Sequence, residues 1–187
     1  MEIDAIKKKV LEDVDPRLRE EKRKQAHRTR LITSAEFAAL IAFLVVIFYI
    51  LMGISTVDGD SMYPTLHNRD KVVYLRSVSE YQPGDIIVLN RPNGEEYVKR
   101  IVAVAGDTVN IQAGKVYVNG KETDYREALG VSGWMSDQVK YPVEVGKSQV
   151  FVLGDNREIS EDSRSFGPVN SKDIAGKLLF YVGSIRH

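Results

Sequence analysis

Residues 37–54 read FAALIAFLVVIFYILMGI, eighteen consecutive positions without a charge. At roughly 1.5 Å rise per residue such a helix reaches about 27 Å, close to the hydrocarbon thickness of a bilayer. The run is apolar on every side and has no polar face to show water, which argues against a core helix. A cleavable signal peptide is a second alternative. More than thirty residues precede the run, however, and no small-residue cleavage site clearly follows it. Positions 31–36 extend the helix into the headgroup layer, where Glu36 is tolerable. Upstream, Arg17, Arg19, Lys22, Arg23, Lys24, Arg28 and Arg30 face only Glu20 and Glu21 in acids. That basic flank predicts a cytoplasmic N-terminus, with everything after Ser55 outside. The expected division is a charged amphipathic segment over 1–30, a transmembrane helix over 31–54 and an extracytoplasmic domain over 55–187.

Formal net charge is zero, so bulk charge offers nothing to nucleic acid. There is no cysteine, which excludes disulfides, thiolate catalysis and cysteine metal sites. His27, His67 and His187 are the only histidines and lack the spacing of a zinc site. A Ser-His-Asp triad would need His67, whose nearness to Ser61 is its sole recommendation. No metal and no cofactor is expected.

Before the basic run, Ile3, Ile6, Val10 and Val14 recur at helical spacing between charges, predicting a short amphipathic helix on a membrane, on a partner or in solvent. After the span, β-branched and aromatic runs separated by turn residues predict one mostly β domain. Strands are expected over 70–75, 85–89, 96–104, 109–112, 115–118, 150–153 and 178–182. Asn119-Gly120 is a strong hairpin signal. Residues 123–145 lack periodicity and carry the single tryptophan, Trp134; they read as an excursion resting near lipid.

Three stretches carry groups fit for chemistry. Ser61 sits in a short loop, loosened by Gly59 before it and stiffened by Pro64 after it. Such a serine can present its hydroxyl while its own backbone N–H faces a developing oxyanion. Taken alone, a Ser-x-x-Pro turn is ordinary. Lys99 lies inside the β-branched run 96–104, where alternation puts it on the face of Tyr97, Ile101 and Ala103. Both faces there are mostly apolar. A lysine drawn into such a setting loses the water that favours its ammonium, and its pKa falls from about 10.4 toward neutrality. Only then can it take a proton from a serine, and an arginine never could. The bland alternative is a lysine snorkelling to solvent.

The third stretch, Gly154-Asp155-Asn156-Arg157-Glu158-Ile159-Ser160-Glu161-Asp162-Ser163-Arg164, fails as a calcium loop. It has no glycine at the sixth place from Asp155, and Arg157 stands where a ligand belongs. It reads as a hydrogen-bonded loop in which Asp155 or Asp162 pairs with Arg100, Arg157 or Arg164, and Ser160 orients a neutral lysine amine.

Taken together the stretches resemble type I signal peptidases, membrane-bound serine proteases that remove signal peptides. Ser61-Met62-Tyr63-Pro64-Thr65-Leu66 matches the box of the nucleophile, and Gly84-Asp85-Ile86-Ile87-Val88 the next. The segment 97–107 matches the box of the lysine base, and 154–164 the last. The resemblance covers roughly residues 40–185, and four boxes in register are specific where one would be weak. It implies a mostly β, coiled-sheet catalytic domain behind one transmembrane helix, with an apolar surface against the membrane. It implies Ser61 as nucleophile, Lys99 as general base, Ser160 holding the lysine, and Asp155, Asp162, Arg100 and Arg164 as support. Substrates would be signal peptides of exported preproteins, with small residues at the first and third positions before the cut.

Some bacterial members carry a serine two places before the nucleophile as a second oxyanion donor. Here that place is Gly59, so the Ser61 backbone N–H is the certain donor. Glycine there resembles the Gram-positive enzymes, and lysine at 99 separates the chain from eukaryotic and archaeal members, which carry histidine. Two other functions fit the same residues: a Ser/Lys self-cleaving regulator, and a tethered β domain that binds exported chains without cutting them.

Overall fold

The computed structural model describes Ile6, Val10 and residues 16–123, 125–133 and 138–183. Ile6 and Val10 are helical and exposed, while the remainder of the amphipathic stretch 1–15, including Ile3 and Val14, lies outside the described residues. So does Trp134.

The basic run and the apolar run form one unbroken helix, α1 (Pro16–Leu51), of 36 residues with none buried. It is long and apolar enough to cross a membrane, alone in this among the described residues. Contacts divide the chain into two compact units, Met1–Phe48 and Tyr49–His187.

The helix stops three residues short of the expected end. Met52, Gly53 and Ile54 belong to β1 (Met52–Thr56), which pairs antiparallel with β2 (Lys71–Leu75). The cause is local to Gly53, which lies against the Tyr74 ring so closely that a Cβ would overlap it. Arg76 donates from its backbone N–H to the Leu51 carbonyl at 2.9 Å and from Nε to the Met52 carbonyl at 3.0 Å. These bonds satisfy carbonyls that a helix end leaves open.

The other strands are β3 (Ile86–Asn90), β4 (Glu96–Val104), β5 (Thr108–Gln112), β6 (Lys115–Val118), β7 (Lys121–Glu122), β8 (Val143–Glu144), β9 (Gln149–Leu153), β10 (Val169–Asn170) and β11 (Ile174–Val182). Seven form one sheet in the order β1-β2-β11-β3-β4-β9-β10, and four form a second, β7-β6-β5-β8. Short helix α2 (Ser163–Phe166) and a 3-10 turn (Ser171–Asp173) link β9 to β11. Each expected strand is present. Asn119 and Gly120 join β6 to β7 with φ of 54° and 77°, the left-handed pair that a two-residue hairpin requires.

Irregularities between Ile174 and Gly176, between Leu178 and Phe180, and between Ile101 and Ala103 bend the large sheet, which curls into a half-barrel. The third breaks the alternation expected for β4. Tyr97, Ile101 and Val104 pack with Ile87 and Leu89, whereas Ala103 joins Val102 against Phe151 and Val109. Ala103 therefore leaves the face on which the pattern set it. Strand β4 runs between β3 and β9, and Val98 through Ala103 are all buried. That central place is what desolvates Lys99.

Candidate active site

Ser61 sits in the loop between β1 and β2, which a set of local bonds shapes. Gly59 N–H donates to Asn68 Oδ1 at 3.1 Å, and Tyr63 N–H to the Asp60 carbonyl at 3.1 Å. The Ser61 carbonyl accepts from Asn156 N–H at 3.0 Å, tying the loop to the stretch 154–164. Among the described residues the Ser61 N–H has no backbone acceptor. Gly59 has φ of +80°, a conformation that side chains resist, so the backbone itself selects glycine there.

Lys99 Nζ donates to Ser61 Oγ at 2.8 Å. Lysine is rarely buried, yet Lys99 is 4% exposed. Loss of water pushes its pKa down to about 8. Asp162 and Glu161 pull it back up, Arg164 pushes it down and Asp155 raises it again, all less strongly than burial. Its ammonium lies 5.1 Å from the Tyr97 ring centroid, over the electron-rich face. The pair opens on a cleft of about 310 Å³ walled by Val57, Gly59, Tyr97, Val98, Ile159 and Glu161.

The supporting residues form two buried ion pairs. Arg100 grips Asp155 through two parallel bonds, Nε to Oδ1 at 2.8 Å and Nη2 to Oδ2 at 2.7 Å, and donates from Nη1 to the Gly84 carbonyl at 3.0 Å. Thr65 lends its hydroxyl to the same carboxylate, so Asp155 braces the serine loop as well. Arg164 forms the second pair with Asp162, Nε to Oδ1 at 2.8 Å and Nη2 to Oδ2 at 2.9 Å. Asp162 also caps α2 and accepts from Gly154 N–H at 3.0 Å. Ion pairs desolvated this far hold a loop only when every oxygen is bonded, and here each carboxylate oxygen is.

Ser160 departs from expectation. Its hydroxyl is fully buried and has no hydrogen-bond partner, so the expected bond to the Lys99 amine is not made. The amine is committed to Ser61, and the Ser160 hydroxyl instead lies against Gly154, where a Cβ would overlap it. His67 takes no part with Ser61; its backbone N–H donates to Asp70 and its ring meets Tyr63 edge-on at 5.0 Å.

Two contributors went unseen in the sequence. Thr65 carried no signal of a carboxylate partner 90 positions on. Glu161, bonded to Tyr97 across the cleft, looked like one more charge in a polar loop. Tyr97 was visible as a neighbour of Lys99 on the same face, though not as a wall of its pocket.

The structure thus sets a serine hydroxyl against a buried lysine amine on a β scaffold, the arrangement of a candidate serine hydrolase. A family model described as signal peptidase, peptidase S26, matches residues 28–182. Signal peptidase I S of Bacillus subtilis is 42% identical over 139 residues, covering 67% of this chain and 74% of that one. Signal peptidase I of Bacillus amyloliquefaciens is 34% identical over 178 residues, covering 88% and 95%. Signal peptidase IB of Staphylococcus aureus is 33% identical over 168 residues, covering 80% and 86%. The chain belongs to the signal peptidase family, peptidase S26.

Proposed function

We infer that this chain is a membrane-anchored serine endopeptidase that removes signal peptides from exported preproteins, with Ser61 as nucleophile and Lys99 as general base. The observation that carries the reading is the 2.8 Å approach of a buried lysine amine to a serine hydroxyl in a cleft.

The neutral Lys99 amine accepts the Ser61 proton as Oγ attacks the scissile carbonyl carbon. The Ser61 N–H stabilises the resulting oxyanion. The ammonium then gives its proton to the leaving amine, freeing the mature chain and leaving an ester on Ser61. Lys99 next takes a proton from water, whose oxygen attacks the ester; the proton returns to Oγ as the signal peptide departs. Asp155 with Arg100 and Asp162 with Arg164 keep the two loops in register. Ser160 anchors the amine once it moves off Ser61, which suits a buried hydroxyl with unused bonding capacity. No step needs a metal or cofactor.

Substrates are signal peptides with small residues at the first and third positions before the cut, a preference the resemblance supplies. Helix α1 spans the bilayer with its basic end in the cytoplasm, and the β unit works on the outer face. The test is cleavage of a detergent-dispersed peptide carrying an Ala-x-Ala site. Wild type should cut after the second alanine and Ser61→Ala should not. An intact peptide with both proteins refutes the assignment, and a cut confined to the protein's own chain points to self-cleavage.

A further inference from the structure

Tyr97 stands two residues before Lys99 on β4, and its ring is the surface the ammonium rests on, 5.1 Å from the centroid. The phenol does not hang free. Its Oη donates to Glu161 Oε2 at 3.1 Å, joining β4 to the stretch 154–164 across 64 positions of sequence. Both residues line the cleft that holds Ser61. Glu161 itself is exposed, so the bond is not a by-product of core packing.

We propose that Glu161 is a positioning residue for the reaction: through Tyr97 it fixes the wall against which Lys99 is held toward Ser61. This rests on the Ser61/Lys99 reading above. Two effects follow from one side chain. The hydrogen bond fixes the ring and therefore the amine, and the negative charge favours the ammonium form. The other charges acting on Lys99 are Asp162, Arg164 and Asp155, with Asp58, Asp60 and Glu96 on the cleft wall. Asp162 and Asp155 are engaged by arginines. Glu161 is the one of these bonded to the ring on which the amine rests.

The two effects separate by substitution. Glu161→Ala and Tyr97→Phe both delete the bond while keeping the ring, and each lowers kcat by about threefold to tenfold, the worth of one oriented hydrogen bond. Because they delete the same bond, the double variant loses no more than the worse single one. Glu161→Gln keeps an acceptor for the phenol and loses the charge. It recovers rate relative to Glu161→Ala, and the midpoint of its rate–pH profile moves to lower pH, since less negative charge surrounds the amine. A shift of about 0.3 units would double the rate on the acid limb.

The experiment measures kcat and its pH profile for wild type, these three variants and the double, on the Ala-x-Ala peptide, with Ser61→Ala as blank. Fully additive losses, or a Glu161→Gln variant that is no faster than Glu161→Ala and keeps the wild-type midpoint, overturn the proposal while wild type still cleaves. If wild type itself fails to cleave above the blank, the function is what has failed.

Discussion

Lys99 Nζ lies 2.8 Å from Ser61 Oγ although the two residues are 38 positions apart and the lysine is 4% exposed. The bond joins a loop braced by Asn156 and Thr65 to a strand buried on both sides. Each partner is held by its own contacts, so the pair stands together without substrate.

Replacing Lys99 by Arg keeps a cation and removes the amine that can be neutral beside Ser61. Peptide cleavage should fall by a factor on the order of 10⁴ or more, while far-UV circular dichroism stays that of wild type. Retained turnover would mean that another base serves Ser61.

Burying Lys99 costs stability, and the pH dependence of that cost has a definite sign. Its pKa is about 8 in the folded chain against an ordinary 10.5. Below pH 8 both states carry the proton and the cost is full. Between 8 and 10.5 the unfolded chain binds the extra proton, so stability rises with pH through that window. Lys99→Met should therefore be the more stable protein at pH 7, by on the order of 3 kcal/mol. The difference should shrink as pH rises to 10.5. Thermal unfolding of both proteins across that range checks it, and a constant difference would contradict the shift.

Asp155→Ala strands the Arg100 guanidinium, which is mostly buried between two loops. Unpairing one partner of a buried pair costs roughly 3 kcal/mol. Removing both, as Arg100→Met with Asp155→Ala, should cost less than removing the acid alone. Denaturant unfolding of the three variants gives the comparison.

Gly59→Ser would place a hydroxyl two positions before Ser61, a place from which the resemblance implies an oxyanion donor could act. Space is open there, but φ of +80° strains any side chain. The variant should lose about 1 kcal/mol of stability and gain no rate.

Much of this was legible in the residues. The β-branched neighbours of Lys99 dictate a buried strand, and a buried lysine beside a loop serine has few chemical uses. Asn119-Gly120 names its own turn. Other features left no trace. Met52, Gly53 and Ile54 are as apolar as the helix before them, so hydropathy cannot see the chain turn into β1; the partners that hold it there, β2, the Tyr74 ring and Arg76, come from further along the chain. The irregularity after Ile101 falls among Val102, Ala103 and Val104, with no glycine to mark it. The bond from Tyr97 to Glu161 is a product of topology, since the 154–164 stretch continues β9, which pairs beside β4 although it lies some fifty positions later.

The central claim is that Ser61 is activated by a neutral Lys99, and kcat/KM against pH for peptide cleavage tests it most directly. A single ionisation with its midpoint near pH 8, activity rising toward alkaline pH, is the predicted result. A profile that stays flat up to pH 10, or that rises only there, would contradict it.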